Sequence, residues 1–205
     1  MGNKDFSSGI VARQKLNSIL KELFRKSIHI CSSLVPLFLH IAYWPVIFLL
    51  IVALLGYSLC EVLRLKGYTI PLISKITEIA ARKRDENKFV LGPVTLVIGI
   101  LLAALFLPWN CARVGIFALS FGDGLASLTG KLIGKITIPG AKGKTVAGSL
   151  ACFLAVYIST FCCSQNCFVS LVVGVSAMFI EVLPLADFDN VLIPILTGSI
   201  FLVLS

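Results

Sequence analysis

A chain of 205 residues that is 58% hydrophobic and only 14% charged falls outside the soluble class, where about a quarter of residues carry charge. Its apolar runs are too many and too long for one soluble core, so the bilayer sets the architecture. The net charge of +8 does not mark a nucleic-acid binder, because the basic segments are short and flank apolar runs, as topology and anionic lipid require. Residues 10–27 read as an amphipathic helix, with Leu16, Ile19, Leu20, Leu23 and Phe24 at helical spacing and Lys15, Lys21, Glu22, Arg25 and Lys26 around them. Such a helix lies in the membrane interface ahead of the first span. The run from Ile28 to Leu63 is too long for one span and breaks around His40–Pro45, giving spans at 28–42 and 45–63. No cleaved signal peptide is expected, since the first run continues directly into the second. A polar, basic loop over 64–88 leads to spans at 89–107 and 111–129. A Gly/Lys-rich loop at 130–144 precedes spans at 145–163, 168–183 and 191–204. The expectation is an all-α polytopic bundle of about seven transmembrane helices. Residues 1–27 form its cytosolic amphipathic segment and residues 28–205 a single transmembrane domain.

With the N-terminus cytosolic and the spans alternating, every lysine and arginine except Arg113 falls on the cytosolic side. The acids gather on that side too, and topology does not account for acids. A carboxylate inside an apolar segment needs a chemical reason.

Four clusters carry chemistry. Asp123 interrupts an apolar run, at about 2.5–3.5 kcal/mol on insertion scales, and needs a metal, a basic partner or water. Helical spacing puts Ser120, Asp123, Ser127 and Lys131 on one stripe. Gly122, Ala126, Gly130 and Gly134 form a neighbouring stripe, suited equally to close helix packing or to phosphate approach. The loop Lys142-Gly143-Lys144-Thr145 combines backbone amides, lysines and a helix N-terminus, all of which favour an anion, but it lacks Walker A spacing and reads alternatively as a plain basic loop. Glu181, Asp187, Asp189 and Asn190 place hard oxygen donors where two spans meet, which suits Mg²⁺. A solvated, capped turn is the alternative, and Glu181 fits it badly. Glu22, Arg25, Lys26 and His29 share one helical face, as an interface anchor or as part of a site. Glu61 and Arg64 form either a structural ion pair or a functional one. The seven cysteines have no zinc-like spacing and are expected to pack as small apolar residues.

Together these clusters resemble the CTP-dependent lipid-alcohol kinases: dolichol kinase, phytol and farnesol kinases, and the yeast-type diacylglycerol kinase. The family pattern is matched by Asp123, Ala126, Gly130, Gly134, Lys142, Lys144, Thr145 and Gly148. Its Glu-x-x-Arg-Lys-x-x-His is similar to Glu22, Arg25, Lys26 and His29, and its late acidic stretch to Glu181, Asp189, Asn190 and Pro194. One departure is Ala147, where the family usually has Glu.

The resemblance implies transfer of the CTP γ-phosphoryl group to a lipid hydroxyl, on the cytosolic face of a bacterial cytoplasmic membrane or an endoplasmic reticulum. Nucleotide would be held by Arg25, Lys26, Gly130, Lys131, Gly134, Lys142, Gly143, Lys144, Thr145, Gly148 and Asn190. Mg²⁺ would be held by Asp123, Glu181, Asp187 and Asp189. Proton transfer would fall to one of Asp123, Glu181 and Asp189, or to His29. The alternatives are a phosphatidate cytidylyltransferase, which releases pyrophosphate instead of CDP, and a non-catalytic lipid- or nucleotide-binding protein or transporter. A transporter needs a polar path, and the far halves of the spans carry ionisable groups only near Arg113 and His40.

Overall fold

Long apolar runs leave helix as the only way to satisfy the backbone in a bilayer, and the computed structural model, which describes residues 2–68 and 88–205, is helical throughout its regular structure. The only extended pairing among the described residues is an isolated antiparallel bridge, Thr137 to Thr145. The expected loop charges Lys75, Glu78, Arg82, Lys83, Arg84, Asp85 and Glu86 lie outside the described residues, as do the side chains of Lys4, Asp5 and Lys15.

Helix α1, Gly2–Cys31, runs unbroken for 30 residues. The first expected span, 28–42, is not one helix. α1 ends at Cys31, a 3₁₀ turn covers Ser32–Leu34, and α2 resumes at Val35–Ile41. Pro36 is the cause, because it cannot donate to the Ser32 carbonyl one turn back. Ala42, non-helical at φ −147° and ψ 75°, makes the expected break before α3, Tyr43–Leu65. α4, Gly92–Phe106, follows. Next comes a continuous helical rod from Trp109 to Ile133, built of α5 (Trp109–Phe117), a π-helical turn (Ala118–Asp123) and α6 (Gly124–Ile133). α7 (Val146–Ser164), α8 (Cys167–Val182) and α9 (Asp189–Leu204) complete the bundle.

Among the described residues three helices are long and apolar enough to cross a bilayer: Tyr43–Leu65, Trp109–Ile133 and Val146–Ser164. α4, α8 and α9 are apolar but shorter, at 15 or 16 residues against the roughly 20 a perpendicular crossing needs. Length and composition thus support three of the expected spans among the described residues. α3 turns Trp44, Phe48, Leu49, Leu55 and Leu59 outward, the surface of a membrane protein rather than a soluble one.

Close backbone approaches hold the interior together. A Cβ on Gly99 or Gly115 would collide with the Asn190 or Pro194 carbonyl of α9. Pro194 lies inside α9 and frees the Asn190 carbonyl that Gly99 receives. Glu61, fully buried at the end of α3, accepts two bonds from Arg64 (2.9 and 2.7 Å) and one from the Val90 N–H (2.9 Å). Arg64 also reaches the Lys88 carbonyl at 2.8 Å. This pair is a structural clamp joining α3 to the approach to α4. Cys111 and Cys152 pack in the core, whereas Cys31, Cys162 and Cys167 are exposed.

Candidate active site

The expected polar stripe of the Trp109–Ile133 rod forms, and it docks on the charged face of α1. Ser32 and Ser120 share a hydroxyl–hydroxyl bond of 2.6 Å. Lys26 donates to Asp123 Oδ2, and His29 Nδ1 lies 3.1 Å from the same oxygen. Ser127 donates to Glu22, Lys131 Nζ stands 3.2 Å from Glu22 Oε2, and Lys131 donates to the Ser18 carbonyl at 3.0 Å. The charged face of α1 is therefore a partner of Asp123. A basic partner offsets this buried carboxylate, and Lys26 is only 1% exposed. The π turn widens the helix where it presents Ser120 and Asp123. Lys26 and His29 both address Oδ2, and Asp123 lines the cavity.

Glu22 is buried at the same junction. Burial alone raises its carboxyl, but Arg25, the Ser127 hydroxyl and Lys26 outweigh that and hold it at about 2.

The Gly/Lys loop folds back on itself. Ile138 N–H donates to the Lys144 carbonyl (2.8 Å) and Val146 N–H to Ile136 (3.0 Å). The reversal is a turn closed by Lys144 N–H to the Ala141 carbonyl (3.2 Å), with Lys142 at φ +47° and Gly143 at φ +85°. Two successive positive φ values are what a primed hairpin turn requires. Thr145 caps α7, its hydroxyl accepting from Gly148 N–H at 3.1 Å. That hydroxyl also fills the space that a Cβ on Gly130 or Gly134 would need, and a Cβ on Gly148 would reach the Ala126 carbonyl at 2.7 Å. The small-residue stripe thus packs α6 against α7, while Gly130 also borders the cavity.

Lys144 reaches across to the end of α8. Its ammonium donates to the Glu181 carbonyl and stands 3.3 Å from Glu181 Oε1 and 3.8 Å from Asp189 Oδ2. Ser149 donates to Glu181 Oε2 at 3.2 Å.

One cavity of about 360 Å³ gathers these pieces. Of the expected site residues it is lined by Arg25, Lys26, Asp123, Gly130, Lys131, Lys142, Gly143, Lys144, Thr145, Gly148, Glu181 and Asp189. His29, Gly134, Asp187 and Asn190 do not line it. His29 backs Asp123, and Asn190 binds Thr95 Oγ1 at 3.0 Å and so ties α9 to α4. The lining adds Glu22, Ala126, Ser127, Pro184 and Ala186. Glu22 and Ser127 lay on the faces already singled out, and their pairing across two helices is what helical spacing alone does not give.

No three carboxylates, histidines or cysteines converge as a metal cage among the described residues. Glu181 and Asp189 nevertheless share one ammonium on one wall of the cavity. This adjacent pair fits Mg²⁺, which one or two carboxylates usually hold together with substrate phosphates. Asp123, paired with Lys26 and His29, lines the same cavity.

No protein-family model matches the chain, and no solved structure does. Curated relatives do. The chain is 28% identical to phytol kinase 1, chloroplastic, of Arabidopsis thaliana, over 89% of this chain and 66% of that protein. It is 32% identical to CTP-dependent diacylglycerol kinase 1 of Eremothecium gossypii, over 54% of this chain and 35% of that protein. A Methanocaldococcus jannaschii protein described as uncharacterised is 26% identical over 66% of this chain and 69% of its own length. The chain therefore spans just under two thirds of the phytol kinase and about a third of the diacylglycerol kinase. Most of the motif residues gather around one cavity, in a chain similar to phytol kinases and to a CTP-dependent diacylglycerol kinase.

Proposed function

We propose that the protein is a membrane kinase that transfers the γ-phosphoryl group of CTP to the hydroxyl of a lipid alcohol such as phytol, farnesol, a polyprenol or diacylglycerol. One observation carries this reading. Four segments far apart in sequence, around residues 22–26, 123–131, 142–148 and 181–189, line a single cavity rich in lysine and carboxylate, in a chain similar to phytol kinases and to a CTP-dependent diacylglycerol kinase.

Phosphoryl transfer needs positioning and charge neutralisation more than covalent chemistry. Lys142, Lys144, Lys131 and Arg25 neutralise the phosphates from different walls. Asp123 Oδ1 accepts the proton of the lipid hydroxyl while Lys26 and His29 hold the carboxylate by its other oxygen. The hydroxyl oxygen bonds to the γ-phosphorus, and the bond to the β–γ bridging oxygen breaks to release CDP. Mg²⁺, when bound, supplies further neutralisation of the phosphates, and Glu181 and Asp189 are the residues that would hold it. The lipid tail stays among the apolar helices, and the active face is cytosolic.

The test is purified protein with γ-labelled CTP, ATP or UTP against a panel of these alcohols. Label in a lipid monophosphate with release of CDP is expected, from CTP above all. Release of pyrophosphate would establish cytidylyl transfer instead, and nucleotide binding without turnover would establish a non-catalytic relative.

A further inference from the structure

Glu181 is the most constrained acid of the cavity. Ser149 fixes one carboxylate oxygen at 3.2 Å, and the other faces Lys144 Nζ at 3.3 Å. Lys144 takes the backbone carbonyl of Glu181 as well and lies within 3.8 Å of Asp189, so a single ammonium serves three acceptors on this wall. An ammonium has three donors and is satisfied by such a set. Its backbone is pinned by the hairpin bonds to Ile138 and Ala141, whereas its side chain is 22% exposed on a flexible four-carbon stem. The chain therefore holds the root of Lys144 still and lets its charged tip travel.

A divalent cation at Glu181 and Asp189 would occupy the ground of that ammonium, and two positive charges do not share the same oxygens. We propose that the Lys144 ammonium is an internal counter-ion that competes with the divalent metal for Glu181 and Asp189, so that metal and nucleotide load together. This inference rests on the reading of the cavity as a nucleotide site. A triphosphate draws Lys144 off the carboxylates, and the vacated oxygens take the metal. Linkage makes the effect reciprocal: each ligand strengthens the other by the same factor.

The experiment measures Mn²⁺ binding to the purified protein by electron paramagnetic resonance, with Mn²⁺ alone and with CTP. In the unmodified protein CTP is expected to raise Mn²⁺ affinity about tenfold or more. Lys144→Met is expected to raise affinity for Mn²⁺ alone by about the same factor and to remove the enhancement by CTP. Lys135→Met controls for general electrostatics: Lys135 is exposed and does not line the cavity, and Mn²⁺ affinity should change less than about twofold. Lys144→Gln stands in if the Met variant does not fold. Unchanged affinity for Mn²⁺ alone in both Lys144 variants overturns the proposal, as does an equal rise in Lys135→Met. The nucleotide reading fails separately, if labelled CTP does not bind the unmodified protein with or without Mn²⁺. The Mn²⁺-alone arm still decides the competition in that case.

Discussion

Asp123 lies within the rod from Trp109 to Ile133, and its insertion penalty of about 2.5–3.5 kcal/mol is offset by Lys26 and His29. Neutralising it has two separable effects. Asp123→Asn should lower phosphoryl transfer about 10²-fold or more, because the proton acceptor is lost. It should also cost about 3–5 kcal/mol of stability by leaving Lys26 buried without its counter-charge. Lys26→Met in the same chain should restore the melting temperature and leave transfer as low as in Asp123→Asn alone, so activity and melting assays together separate the roles. Glu22 gives a prediction in pH. Its folded pKa is depressed, so its contribution is complete above the ordinary value of 4.5 and declines as pH falls toward about 2. Hydrogen-exchange protection of residues 16–31 should fall over that acid window, and Glu22→Gln should flatten the dependence.

At the scale of elements, the tightest junction is between α6 and α7. Gly134→Ala places a methyl against the Gly130 carbonyl and the Thr145 hydroxyl, and thermal unfolding should show a loss of about 1–3 kcal/mol. Most helices were legible in the sequence, because apolar runs longer than a soluble core needs have one backbone solution in lipid. The break at Ala42 falls within the expected His40–Pro45, and α7 begins beside Thr145, where the Gly/Lys loop was expected to end. Three features were not legible. Pro36 splits the first span, and a run of apolar residues gives no length limit to each piece. The π turn at Ala118–Asp123 adds a residue to a turn, a change too small for hydrophobic periodicity to register. The face Glu22-Arg25-Lys26-His29 was visible on α1, but helical spacing shows what shares a face and not which distant helix it meets.

For the molecule as a whole, the proposal requires the cavity to open to one side of the membrane and the turn at Gln165, between α7 and α8, to lie on the other. In a background without native cysteines, a cysteine at Lys142 and one at Gln165 should react with an impermeant maleimide from opposite faces of sealed vesicles. Labelling of both from one face would overturn the topology and the placement of the active face with it. The π turn bears on how such a small bundle serves two tasks with one rod. Each residue advances an α-helix by about 100°, so the extra residue acts as a phase shift between the two halves of Trp109–Ile133. Upstream, Gly115 is set in phase with α9 and the bundle interior. Downstream, Asp123, Ser127 and Lys131 are set in phase with α1 and the cavity. The two halves can thus answer to different constraints, one to packing in lipid and one to charge at the interface, without a break in the rod that joins them.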